Sequence, residues 1–137
     1  ELLLDQLSQL DENTVVVLGK LNENEDYMLN DSTRVISHLV SRDLNRLINK
    51  SKTIISRSGY STIMDLEKLG KKGILIPTPG QTEQIYLGKH LSHRPNYVVQ
   101  SQKDLNIPEA LDELQLKSKF VHKDKDFDID DHLVQEI

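Results

Sequence analysis

The sequence predicts an α/β fold, a parallel sheet covered by helices on both faces in the manner of a Rossmann-like domain. Three observations predict it. Short β-branched runs alternate with segments whose apolar residues recur at helical spacing. The runs, such as Thr14-Val-Val-Val and Gly73-Ile-Leu-Ile, are apolar throughout and polar at their ends, as strands buried on both faces are. Two strand-to-helix turns within residues 53–91 carry Gly, hydroxyl and acidic residues, and open parallel sheets bind ligands at such turns.

The elements follow in order. Leu2, Leu3, Leu4, Leu7 and Leu10 keep helical spacing until Asp11-Glu-Asn breaks it, and residues 14–18 read as the first strand. A polar loop starts at Gly19, residues 34–40 form a second strand, and Leu44, Leu47 and Ile48 mark a helix with Ser41 as its N-cap. Strands follow at 53–57, 73–77 and 97–100, separated by helices at 61–69 and 82–92. Pro108 suits the first turn of a helix over 108–116. At 137 residues the size prior is one domain, here residues 1–118, followed by an acidic linker and a short helix within 119–137. Asp128 caps that last helix, over 129–136. The acidic tail fails as an EF-hand, because Ile129 falls where a Gly must turn and Gln135 where a Glu must chelate. Glu1 stands in place of a start Met, which predicts a piece of a longer protein.

Composition excludes several function classes. A net charge of −5 argues against nucleic-acid and anionic-membrane binding, both of which need a basic face. No run approaches the ~20 apolar residues of a membrane span. Zero Cys removes disulfides and thiolate chemistry and fits a reducing, cytoplasmic setting. His90 and His93 lie three apart with no third ligand evident, so no metal is expected. His38, ending an apolar strand, is expected as a satisfied core or rim residue rather than a base. No Walker loop, G-x-G-x-x-G or Ser-His-Asp order occurs, so no catalytic residue is assigned.

Two turns remain. In Ser56-Arg-Ser-Gly-Tyr-Ser-Thr-Ile-Met-Asp65, a helix N-terminus offers unpaired N–H groups to an anion. Gly59 admits a close approach, Ser58, Ser61 and Thr62 add hydroxyls, and Asp65 suits a vicinal diol. The competing reading is structural: Thr62 and Asp65 have near-capping-box spacing, and Gly59 serves the turn alone. In the second turn, Pro77 to Tyr86, Glu83 and Gln84 offer a carboxylate and an amide, the groups that read sugar hydroxyls. Taken alone they are ordinary helix-start polarity. Two such turns on neighbouring strands, both polar and both Gly-containing, are harder to ascribe to local structure alone.

The same residues carry a resemblance. Ser56-Arg-Ser-Gly-Tyr-Ser-Thr-Ile-Met-Asp-Leu-Glu-Lys-Leu-Gly70, then Ile74-Leu-Ile-Pro77, then Gln81-Thr-Glu-Gln84, resembles the C-terminal domain of family 28 glycosyltransferases. The resemblance spans roughly residues 34–100, with both motifs in the family's order. It implies the second half of a GT-B enzyme that transfers a hexose, N-acetylglucosamine or galactose, from a UDP-sugar without a cofactor or metal. It implies that Ser58, Gly59, Ser61 and Thr62 bind the donor diphosphate and that Leu39 reads uracil through its backbone. Asp65 stands where the family has a ribose-binding Glu; being one methylene shorter, it reaches the ribose only if its helix sits closer. Glu83 and Gln84 would contact the donor sugar. The acceptor pocket and base would belong to an N-terminal domain outside this chain, working at the cytoplasmic face of a membrane, and the fragment would be inactive alone. The family's domain opens with a strand and Gly-rich loop ahead of its first helix, and residues 2–10 are expected to lie inside that helix. The strands from Thr14 and Thr53 are therefore expected to pair directly, or a second copy to fill the gap by self-association. The rival readings of the same fold are a UDP-N-acetylglucosamine 2-epimerase, from whose T-E-R-P-E pattern Thr82-Glu-Gln-Ile-Tyr departs, and a non-catalytic sugar- or protein-binding module.

Overall fold

A computed structural model describes residues 2–123, the side chains of 120–123 excepted. The expected helix over 129–136 lies outside the described residues. The chain divides into two compact units, Glu1–Lys50 and Ser51–Ile137.

In the first unit a helix, α1 (Leu2–Ser8), precedes β1 (Thr14–Val17), β2 (Asp26–Met28) and β3 (Thr33–Ile36), and α2 (Ser41–Lys50) closes the unit. The sheet order is β1-β3-β2, with β1 parallel and β2 antiparallel to β3. The antiparallel strand corrects the loop expected after Gly19. All three β2 residues are exposed, so hydrophobic periodicity could not reveal it. Polar ties hold it instead. Asn30 Oδ1 accepts from the Ser32 and Thr33 amides at 2.9 and 2.8 Å, an Asx turn that starts the return strand, while its Nδ2 donates to Ser8 O at 2.8 Å. Arg34 clamps Asp26 two-pronged, Nε to Oδ1 at 2.8 Å and Nη2 to Oδ2 at 2.6 Å. The β2–β3 register makes this a diagonal cross-strand pair. Ser41 lies inside the first turn of α2 rather than capping it, since the Leu44 amide donates to the Val40 carbonyl. His38 Nδ1 meets the Glu23 carbonyl at 3.0 Å, the satisfied rim residue expected.

The Asp26–Arg34 pair carries a pH test. The Arg34 hydrogen bonds hold the Asp26 carboxyl below its ordinary value. The pair's contribution is therefore present above the usual carboxylate pKa of about 4 and is lost as pH falls through the lower folded value. An NMR titration of the Asp26 carboxyl is expected to give a midpoint below the usual aspartate value of about 4. An equal or higher midpoint would contradict the pairing.

The second unit holds β4 (Thr53–Ser56), α3 (Tyr60–Leu69), β5 (Lys72–Leu75), α4 (Thr82–Leu91), β6 (Tyr97–Val99) and α5 (Ile107–Lys123). Its sheet is wholly parallel, in the order β4-β5-β6. Each crossover is a helix, as the alternation of strands and helices predicts. Strand alternation divides the core. Leu75 and Tyr97 join Ile63, Leu66 and Leu91 of α3 and α4 in one buried cluster. Ile74 and Val98 point to the opposite face, where α5 contacts β5 and β6 and buries Ile107, Ala110 and Leu114. The final helix runs well past the expected 108–116, because no Gly or Pro interrupts it before Lys123. Its start is capped by Asn106, whose Oδ1 accepts from the Glu109 amide at 3.1 Å. The strands from Thr14 and Thr53 do not pair; they belong to different sheets.

Candidate functional site

Because β4 and β5 are parallel neighbours, the turns that follow them lie at one edge of the sheet. The first turn is Arg57-Ser58-Gly59. Gly59 is the N-cap of α3 at φ −76° and ψ 147°, with no side chain capping the helix. The first amide to find a helical carbonyl is that of Ile63, at 3.0 Å from Gly59 O. The amides of Tyr60, Ser61 and Thr62 thus have no carbonyl ahead of them in the helix, and they carry the positive end of its dipole.

Any residue could adopt the Gly59 backbone. Packing does not require glycine there either, since a Cβ built on it meets nothing within 4 Å. The Thr62–Asp65 capping reading fails, since the cap lies three residues before Thr62. Ser61 and Asp65 are exposed one turn apart on the same helix face, and Thr62 is half-buried. Ser58 differs from the others. It is fully buried, and its hydroxyl donates to the Gln84 carbonyl on α4 at 2.8 Å.

The second turn is Pro77 to Gln81. Gly80 takes φ +82°, a left-handed conformation that side chains resist, and the Gln81 amide closes the turn on Thr78 O at 3.1 Å. Glu83 is exposed, and its carboxylate makes no hydrogen bond among the described residues. Gln84 is turned inward: its Oε1 accepts from the Thr78 amide at 2.9 Å and its Nε2 donates to Gln81 Oε1 at 3.0 Å.

Two groups that sequence reasoning left unassigned fasten the turns together. Arg57 donates to the Ile76 and Pro77 carbonyls, each at 3.4 Å, and to Gln102 Oε1 at 2.8 Å, and so spans the ends of all three strands. Gly88 lets α4 sit against Pro77, where a Cβ would come within 3.0 Å of the ring. The signal for Gly88 was in the sequence: a lone Gly inside a helical pattern costs about 1 kcal/mol and marks a close approach.

Leu39 belongs to the first unit. It is half-buried and borders a depression with Val15, Ile36 and Leu47, rimmed by Asp43 and Arg46. His90 stacks on Tyr86, with ring centroids 6.3 Å apart and planes at 11°. Among the described residues, no three His, Asp or Glu side chains are grouped to hold a metal. The arrangement offers anion-binding amides, hydroxyls and a carboxylate suited to a sugar diol.

Two curated relatives are enzymes named UDP-N-acetylglucosamine–N-acetylmuramyl-(pentapeptide) pyrophosphoryl-undecaprenol N-acetylglucosamine transferase. The one from Rhodopseudomonas palustris is 40% identical over 42 residues, 31% of this chain and 12% of the relative. The one from Cytophaga hutchinsonii is 28% identical over 108 residues, 79% of this chain and 29% of the relative. The chain therefore spans less than a third of the length of either. No solved structure matches it. The sequence profile of the glycosyltransferase family 28 C-terminal domain matches residues 2–131. With its parallel βαβ layout and paired turns, the chain belongs to the family 28 glycosyltransferase C-terminal domains.

Proposed function

We propose that the second unit binds the donor of a hexosyltransferase, a UDP-sugar, and that the acceptor site and base are supplied from outside this chain. One observation carries the reading: two adjacent parallel strands each end in a turn whose helix start no side chain caps. Ser61 and Thr62, with the amides beside Gly59, hold the diphosphate, while buried Ser58 fixes the turn through Gln84. Asp65, on the exposed face of α3, takes the ribose diol. The second turn meets the sugar, with Glu83 its free carboxylate. In this reading the helix N-termini offset the charge of the departing UDP, and no cation is invoked.

The relatives' names supply the finer terms: N-acetylglucosamine as the sugar and a pyrophosphoryl-undecaprenol conjugate as the acceptor. Such an acceptor places the reaction at a membrane surface. No described helix is long and apolar enough to cross the membrane itself.

Calorimetry with UDP, UDP-N-acetylglucosamine and UDP-galactose tests the reading. Asp65→Ala removes charged hydrogen bonds to the diol and is expected to weaken UDP about tenfold or more. A chain that binds none of the three favours a non-catalytic module. Binding that is indifferent to Asp65→Ala removes the ribose assignment.

A further inference from the structure

The net charge of −5 conceals an uneven division. Residues 51–123 hold eleven Lys and Arg against seven Asp and Glu, whereas residues 124–136 hold six acids and one lysine. The fold gathers much of the positive charge at one edge of the second unit. In a parallel βαβ sheet the strands start where the helices end, at the edge opposite the two turns. That edge carries Lys52 just before β4, Lys72 at the start of β5, Lys68 in the last turn of α3 and Lys89 in the last turn of α4. All four are exposed, and none makes an ion pair among the described residues. The helix dipole accounts for Lys68 and Lys89 but not for Lys52 and Lys72, which stand at strand starts. Glu67, the acid in the last turn of α3, is already engaged by Arg94 and Tyr97.

The last helix leads the acidic run to the same edge. It starts at the strand ends, where the Asn106 amide donates to Gln100 Oε1 behind β6 at 2.9 Å. By Lys117 it has reached the strand starts: Nζ donates to the carbonyls of Ser92 and of Tyr97, the first residue of β6, at 2.9 and 2.8 Å. Lys123 lies about 9 Å further along the helix axis. We propose that this basic edge is a docking surface for an acidic peptide, and that residues 124–136 of this chain occupy it. Single exposed ion pairs are weak, but here several act together, and the tether holds the segment at an effective concentration of about millimolar. Docked there, its carboxylates stay away from the uncapped start of α3, where they would compete with an anionic ligand.

The chain has no cysteine, so Gln135→Cys gives a nitroxide one attachment point. In the full chain at low salt, the amides of Lys52, Lys68, Lys72 and Lys89 are expected to lose most of their NMR intensity. Those of Gly59 and Gly80, at the opposite edge, are expected to keep theirs. Salt of about 1 M, where the Debye length is about 3 Å, is expected to restore the lost signals. Lys68→Glu combined with Lys72→Glu, both at exposed positions, is expected to abolish the loss while the rest of the amide spectrum stays in place. Absent or unselective broadening overturns the proposal, as does broadening that survives high salt or the double charge reversal. A mixture of nitroxide-bearing chain with isotope-labelled wild type is expected to show no broadening. Broadening there would assign the surface to a second copy and overturn docking within one chain.

Discussion

Glu67→Ala is expected to destabilise the second unit by about 3 kcal/mol, the cost of breaking a buried ion pair from one side. Glu67 Oε1 accepts from Tyr97 Oη at 2.8 Å and from Arg94 Nη1 at 3.2 Å, and the Glu67 side chain is only 7% exposed. Its carboxylate fastens α3 to β6, where Tyr97 is fully buried. Truncation leaves a buried hydroxyl and a largely buried guanidinium facing a void. Glu67→Gln keeps an acceptor for Tyr97 and loses only the charge, so about half that cost is expected. The shift in urea midpoint measures both, and an alanine variant as stable as wild type would contradict the role.

A pH signature accompanies the triad. Burial, then the hydrogen bond to Glu67, raises the Tyr97 phenol well above its ordinary value. A raised folded pKa means that stability is fully present below the unfolded value of about 10 and is lost as pH climbs past it, by at most about 1.4 kcal/mol per pH unit. Tyr97→Phe is expected to abolish that alkaline slope.

How much of this was legible in the sequence depends on what holds each element. The parallel strands of the second unit are apolar runs flanked by polar residues, so Thr53–Ser56, Lys72–Leu75 and Tyr97–Val99 appear within two residues of where the pattern puts them. The strand Asp26–Met28 is held by an Asx turn and an Arg–Asp clamp, polar bonds that leave no hydrophobic periodicity. The turns could be located from Gly and hydroxyl content. The division of labour within them could not, because it depends on where side chains point. Ser58 and Ser61 are three residues apart and chemically identical, yet one is fully buried in a tie to α4 and the other is exposed. Likewise Gln84 is turned inward onto the Thr78 N–H, whereas Gln81, three residues earlier, is exposed at the N-cap.

Gly88 offers the sharpest link between packing and site. A Cβ on this residue would come within 3.0 Å of Pro77 Cγ and 3.1 Å of Val99 Cγ1. The proline ring is rigid and the valine is β-branched, so neither can yield cheaply. Alanine gains about 1 kcal/mol of helix propensity and loses about 1–3 to overpacking, so Gly88→Ala is expected to be destabilised by about 1 kcal/mol. Gly88→Val has no such compensation and is expected to lose about 3 kcal/mol. The effect should reach the ligand. Gln84 lies one turn earlier on the same face of α4, and its carbonyl receives the Ser58 hydroxyl at 2.8 Å. A helix pushed off Pro77 stretches that bond and shifts the first turn against the second. Ser58→Ala separates the two causes, since it deletes the bond without the clash and is expected to cost only about 1 kcal/mol. If the turns act as one site, Gly88→Ala weakens UDP more than Ser58→Ala does at similar stability. Equal UDP affinity in wild type and Gly88→Ala would show instead that the two turns bind independently, with α4 free to move beneath them.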